Sequence, residues 1–198
     1  MIRYAYINNQ ILELFKKLPK LTFPIDISQI IELIPNCKYM SYQRLAKITY
    51  SSMKSIIELC ESEAGCTHYD INNNRYLILC NENDNEYRQR WTKAHEIGHI
   101  ICNHTSQSFY CKILDSGFVT FTNKEFESEA DYFAATLLCP FPICQELDIQ
   151  SAEDIQKHFA ISPTAAKNQF KKYLEWKQSH KKTAWENDLK KLYRYFNE

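Results

Sequence analysis

Residues 95–99 read His-Glu-Ile-Gly-His, an HExxH pattern. They sit in a stretch, 88 to about 104, where Trp91, Ala94, Ile97, Ile100 and Ile101 recur among polar residues at helical period. On a helix, His95 and His99 fall about 40° apart around the axis and about 6 Å apart along it, so both imidazoles can reach one metal ion. Glu96 lies about 100° round from His95. A carboxylate placed there cannot easily bind the same ion, but it can take a proton from a water that the ion activates. The spacing therefore predicts metal-assisted hydrolysis, with zinc as the cofactor, His95 and His99 as ligands and Glu96 as the catalytic base.

Two histidines need a third ligand. The extended pattern HExxHxxGxxH would require Gly at 102 and His at 105, where this chain has Cys102 and Thr105. A glutamate on a following helix is the alternative, giving a His₂Glu set with one position open. Residues 127–131 read Glu-Ser-Glu-Ala-Asp. Glu127 and Asp131, four apart, share a helix face, so one can ligate the metal while the other orients a ligand histidine. Glu129 lies about 200° from Glu127 and faces elsewhere. Glu127 is the preferred third ligand, Glu129 the fallback and Asp131 the orienting partner. His68, His104, His158 and His180 read as surface or internally satisfied residues, and Cys102 as a small buried hydrophobe.

These residues must be held by their neighbours. Helices are predicted over 9–18, stopped by Pro19, and over 27–34, capped by Asp26 and ended before Pro35. A third begins at Ser51 or Ser52, contains Met53, Ile56, Ile57 and Cys60, and is ended by Gly65. Residues 66–71 and 75–80 read as a hairpin turning through Asn72, Asn73 and Asn74. One or two short strands, or a structured loop, are expected over 108–122 around Ser116 and Gly117. A helix follows over 125–138, closed by Pro140, with Phe133, Ala134, Leu137 and Leu138 packed on the HEIGH helix. Residues 151–159 and 164–177 read as two helices joined by a tight turn.

The composition removes several functional classes. With 198 residues, 44% hydrophobic and 24% charged, the chain is a folded protein rather than a disordered or fibrous one. Its 24 basic and 24 acidic residues cancel, so no bulk field recruits nucleic acid or an anionic membrane. Three glycines, Gly65, Gly98 and Gly117, are too few for a glycine-rich phosphate loop. No run approaches the roughly 20 apolar residues of a membrane span, and the first residues lack a secretory apolar region. The eight cysteines contain no CxxC pair, so reduced thiols and a cytoplasmic location are expected. From Lys167 onward nine basic residues stand against four acidic ones, a local net +5.

Taken together, YLILCNEN, RQRWTKAHEIGHI, the following Cys102-Asn103-His104 and ESEADYFAATLLCP resemble the ImmA/IrrE family of zinc metallo-endopeptidases. The resemblance covers most of residues 24 to 178. SAEDIQKHFAISPTAAKNQFKKYLEW is similar to the helical extension that follows the protease core in such proteins. Trp91 stands where phenylalanine is usual, and Cys139 where methionine or alanine is common. The resemblance implies an α+β, zincin-like domain with a small sheet over residues 1–148, and a helical extension with a basic tail over 149–198. By motif correspondence zinc would be held by His95, His99 and Glu127, with Glu96 as base. It further implies a cytoplasmic protease, often borne on mobile elements, whose substrate is a helix-turn-helix transcriptional repressor. Two rivals remain at this point: a zinc-fold module that regulates a repressor by association alone, and a DNA-binding regulator using residues 151–177.

Overall fold

A computed structural model describes residues 1–104, 111–113, 119–121, 124–179 and 183–197. Ser116, Gly117 and His180 lie outside the described residues. The chain opens with α1 (Tyr4–Lys16), which starts a turn earlier than its strongest apolar run because Ile7 extends the buried stripe of Ile11, Leu12, Leu14 and Phe15 upstream. Next come α2 (Ile27–Glu32), capped as expected by the Asp26 side chain accepting from the Ser28 N–H, and the strand β1 (Cys37–Ser41). Neither β1 nor the following α3 (Tyr42–Thr49) was expected. β1 is five residues long, lacks β-branched side chains and does not alternate cleanly, so its identity comes from a distant partner strand.

After α4 (Met53–Cys60), which Ser52 caps, the chain forms β2 (Gly65–Asp70) and β3 (Arg75–Cys80), the expected hairpin. Gly65 does not end α4. Glu61 does so in the left-handed conformation, and Gly65 opens β2, where a Cβ would lie 2.5 Å from Thr92 Cγ2 and 2.7 Å from the Leu79 carbonyl oxygen. The missing side chain lets the strand press against the next helix. The sheet order is β1-β3-β2, with β1 parallel and β2 antiparallel to the central strand. Strand alternation divides its two faces: Ile78 and Cys80 join the main core, whereas Leu79 joins a smaller cluster with Tyr42, Ala46, Ile56 and Cys60.

The helix carrying the HExxH residues is α5 (Glu86–Ile101), started by the Asn85 side chain accepting from the Arg88 N–H. Two short antiparallel strands follow, β4 (Cys111–Ile113) and β5 (Val119–Phe121), in line with the expectation for that stretch. Then comes α6 (Lys124–Leu138). Phe133, Ala134 and Leu137 are fully buried and Leu138 nearly so, as their spacing predicts. Pro140 follows α6 and serves as the N-cap of α7 (Phe141–Glu146), whose first turn accepts Pro142 because a proline there removes no needed hydrogen bond. The chain closes with α8 (Ala152–Phe159), α9 (Pro163–Ser179) and α10 (Ala184–Asn197). The result is an α+β architecture in which helices pack around a small mixed sheet. One continuous apolar core runs from Ile7 to Leu189. Part of the basic tail is tied down, since Arg194 pairs through Nε and Nη2 with the Glu146 carboxylate on α7. No helix among the described residues is long and apolar enough to cross a membrane.

α5 and α6 approach closely at Gly98. A Cβ on Gly98 would stand 3.0 Å from Ala130 Cα, 3.2 Å from the Ala130 carbonyl oxygen and 3.2 Å from Phe133 Cβ. Helix propensity alone would make Gly98→Ala stabilising by about 1 kcal/mol. Because two of the three obstructing atoms are backbone, we expect the opposite sign, a loss of about 1–2 kcal/mol from overpacking. Urea unfolding measures this, and a gain in stability would show that α6 yields without cost.

Candidate metal centre

α5 delivers His95 and His99 to one point, with their Nε2 atoms 3.1 Å apart. The first turn of α6 delivers Glu127 to the same point. Its Oε2 lies 3.2 Å from His95 Nε2 and its Oε1 3.5 Å from His99 Nε2. A tetrahedral ion with bonds of about 2.0–2.2 Å to nitrogen and oxygen requires ligand atoms about 3.3–3.6 Å apart. The separations of 3.1, 3.2 and 3.5 Å are near that range, with His95 and His99 each facing a different oxygen of the Glu127 carboxylate. The chemistry of the three donors fits a divalent cation.

The neighbouring carboxylates separate by helix face. Asp131, one turn beyond Glu127, places Oδ1 3.0 Å from His95 Nδ1. This fixes the His95 tautomer, since Nδ1–H donates to Asp131 and Nε2 keeps its lone pair for a metal. Glu129 points away from the His95–His99 pair. It accepts from the backbone N–H of Arg3 at 2.9 Å, from the Arg3 guanidinium through Nε and Nη2, and from His104 Nε2 at 3.0 Å. The fallback ligand therefore lies in a second buried group with Cys102 and His104. Cys102 is fully buried, and burial pushes its thiol up to about 12.

Burial also decides the character of the remaining groups. His99 is almost fully enclosed, and desolvation, reinforced by His95 and His104, holds its imidazole well below its usual range and so neutral. Burial works against protonation of His95 as well, but Asp131 and Glu127 outweigh it and hold that imidazole up at about 10. A negative field that attracts a proton to this point also attracts a divalent cation, which replaces the proton on binding. Glu96 is 6% exposed. Burial raises its carboxyl above the usual range, against the opposing pull of His95 and of Thr67, whose hydroxyl donates to Oε2 at 2.8 Å. Beside these groups opens a cleft of about 380 Å³, lined in part by Gly65, Arg88, Trp91, Thr92, His95 and Glu96.

Sequence reasoning missed three residues that touch this machinery. Thr67 sits on β2, and only the packing of the sheet on α5 brings it to Glu96. Arg3 is 126 residues from Glu129, beyond the reach of any local pattern. His104 carried a weak signal, five residues past His99 at the end of the same segment. From the geometry, Glu127→Ala should lower metal affinity at least about 100-fold, and Asp131→Ala about 10–100-fold by freeing the His95 ring. Competition with a chromophoric chelator reads both. A Glu127→Ala protein that keeps wild-type affinity would remove Glu127 from the ligand set.

No curated protein matches the chain. A family model described as the IrrE N-terminal-like domain, Peptidase_M78, matches residues 56–171. That span is more than half of the 198 residues and holds His95, Glu96, His99, Glu127 and Asp131, together with Thr67 on β2. Fold, geometry and family agree, and the chain belongs to the IrrE N-terminal-like domain family of metallopeptidases.

Proposed function

We propose that this protein is a zinc-dependent endopeptidase that cleaves a cytoplasmic regulatory protein, a helix-turn-helix repressor being the expected substrate. The observation that carries the reading is the three-donor set with a buried carboxylate, Glu96, beside it and an open cleft in front. Two imidazoles and one carboxylate in tetrahedral spacing suit zinc among the common divalent ions. Zinc, when bound, supplies Lewis acidity toward the scissile carbonyl and lowers the cost of deprotonating the attacking water.

The chain's own residues do the proton work. Glu96 takes a proton from the attacking water and passes it to the leaving amine. Burial makes its carboxylate a stronger base than a solvated one. Thr67 engages Oε2, which restrains the carboxylate and leaves Oε1 for the transfer. His95 and Asp131 contribute at the cleft wall, the former as ligand and the latter as its brace. A cytoplasmic setting is supported by the free thiols of Cys37, Cys60, Cys66, Cys80, Cys102, Cys139 and Cys144. Cys139 and Cys144 hold their sulfurs 3.7 Å apart without a bond.

The test is co-expression with a helix-turn-helix repressor encoded nearby, followed by mass spectrometry of the fragments and metal analysis of the protease. Wild type should produce one defined cut. Glu96→Gln should retain a full metal complement while cleavage falls about 10²–10⁴-fold, the usual worth of a positioned base. Thr67→Val should keep its metal and lose about tenfold in rate, the equivalent of one hydrogen bond to a charged group. Repressor binding by wild type without any cut would replace the protease reading with regulation by association.

A further inference from the structure

The two metal-facing histidines are braced in different ways. His95 leans directly on Asp131, an exposed carboxylate. His99 is met at its outer nitrogen by a second imidazole. Its Nδ1 lies 2.9 Å from Nδ1 of His104, and His104 Nε2 lies 3.0 Å from Glu129 Oε2. Glu129 in turn is gripped by Arg3 through the backbone N–H and the guanidinium, and Arg3 Nη2 also donates to the Cys102 carbonyl oxygen at 2.9 Å. We infer that His104, Glu129 and Arg3 form a positioning relay that fixes the tautomer and orientation of His99, so that the N-terminal turn of α1 sets the geometry of the metal centre from behind. The inference rests on the metal-centre reading above and adds residues outside the ligand set.

Hydrogen-bond polarity gives the relay one direction. A carboxylate held by a guanidinium only accepts, so His104 Nε2 must carry a hydrogen and donate to it. Nδ1 of a neutral His104 is then an acceptor, and the only proton that can fill the 2.9 Å contact is the one on His99 Nδ1. His99 Nε2 is left with its lone pair, aimed at His95 and Glu127. With the opposite tautomer, His99 would present N–H to the metal position. His104 is fully enclosed and stacks on Phe126 with ring centroids 4.3 Å apart and planes 7° from parallel, which restrains its ring. The same atoms are already engaged with one another, since Glu129 has three partners.

The test uses the full chain, with cobalt(II) and zinc(II) as probes, reading stoichiometry, affinity by chelator competition and the cobalt visible spectrum. Metal uptake by wild type is read first. Absence of uptake overturns both the metal centre and the relay. One equivalent bound by wild type isolates the relay question. His104→Phe, which keeps a ring on Phe126 but removes both nitrogens, should weaken binding about 10–100-fold and alter the cobalt spectrum. His104→Gln presents an acceptor and a donor in the same sense and should restore affinity to within about threefold. Equal losses in both variants would reduce His104 to packing and overturn the relay, as would His104→Phe binding within about twofold of wild type. Two equivalents in wild type falling to one in His104→Phe would also overturn it, assigning Cys102, His104 and Glu129 to an ion. Should His104→Phe fail to fold, the partly exposed Arg3→Gln decides. An affinity loss of about threefold or more with altered cobalt bands supports the relay, and unchanged binding overturns it.

Discussion

The packing of α5 on α6 is the constraint on which the rest of the structure depends. Gly98 and Ala130 meet so closely that a side chain at position 98 would press on the α6 backbone. Ala94, Ile97, Phe133, Ala134 and Leu137 extend that contact along both helices, each completely buried. Because α-helical periodicity separates faces by fixed angles, seating these residues in the core swings His95 and His99 toward Glu127 and Asp131. Three donor side chains then arrive from two helices with their atoms 3.1 to 3.5 Å apart.

Electrostatics divides the carboxylates among different tasks although they are close in space. Glu127 is half exposed and faces both imidazoles. Glu129, two residues on, would be pushed up by burial, but Arg3 and His104 hold it at about 2, a permanent anion whose charge is already matched. Glu96 is as buried as Glu129 yet lacks an arginine, so desolvation wins and its proton affinity rises. Environments that drive similar groups apart in acidity permit a base, a ligand and a structural anchor to coexist in one small site. The histidines divide in the same manner, His95 drawn toward positive charge by two carboxylates and His99 kept neutral by enclosure.

Much of this was legible in the residues. The HExxH spacing, the ESEAD segment and the apolar stripe behind it are local patterns, and helical period converts each into a face. The caps at Asp26, Ser52 and the Asn-rich turn of the β2–β3 hairpin are local as well, because each is satisfied by atoms within a few residues. What escaped was non-local. β1 is a strand because β3 pairs with it 39 residues later, Gly65 opens β2 because the strand must press against Thr92, and α7 exists because the core receives Ile143 and Cys144.

The sequence by itself determined which residues could share a helix face, and hence that His95, His99 and one acidic residue of 127–131 were candidates for a common ion with Glu96 alongside. Tertiary structure alone decided which carboxylate arrives there, because the rotation of α6 about its axis is set by how Phe133 and Ala130 seat on α5. It also decided that Thr67 restrains the base and that Arg3 anchors Glu129. Those contacts join residues 29 and 126 positions apart, and no periodicity within a helix or strand encodes a separation that only the folded core closes.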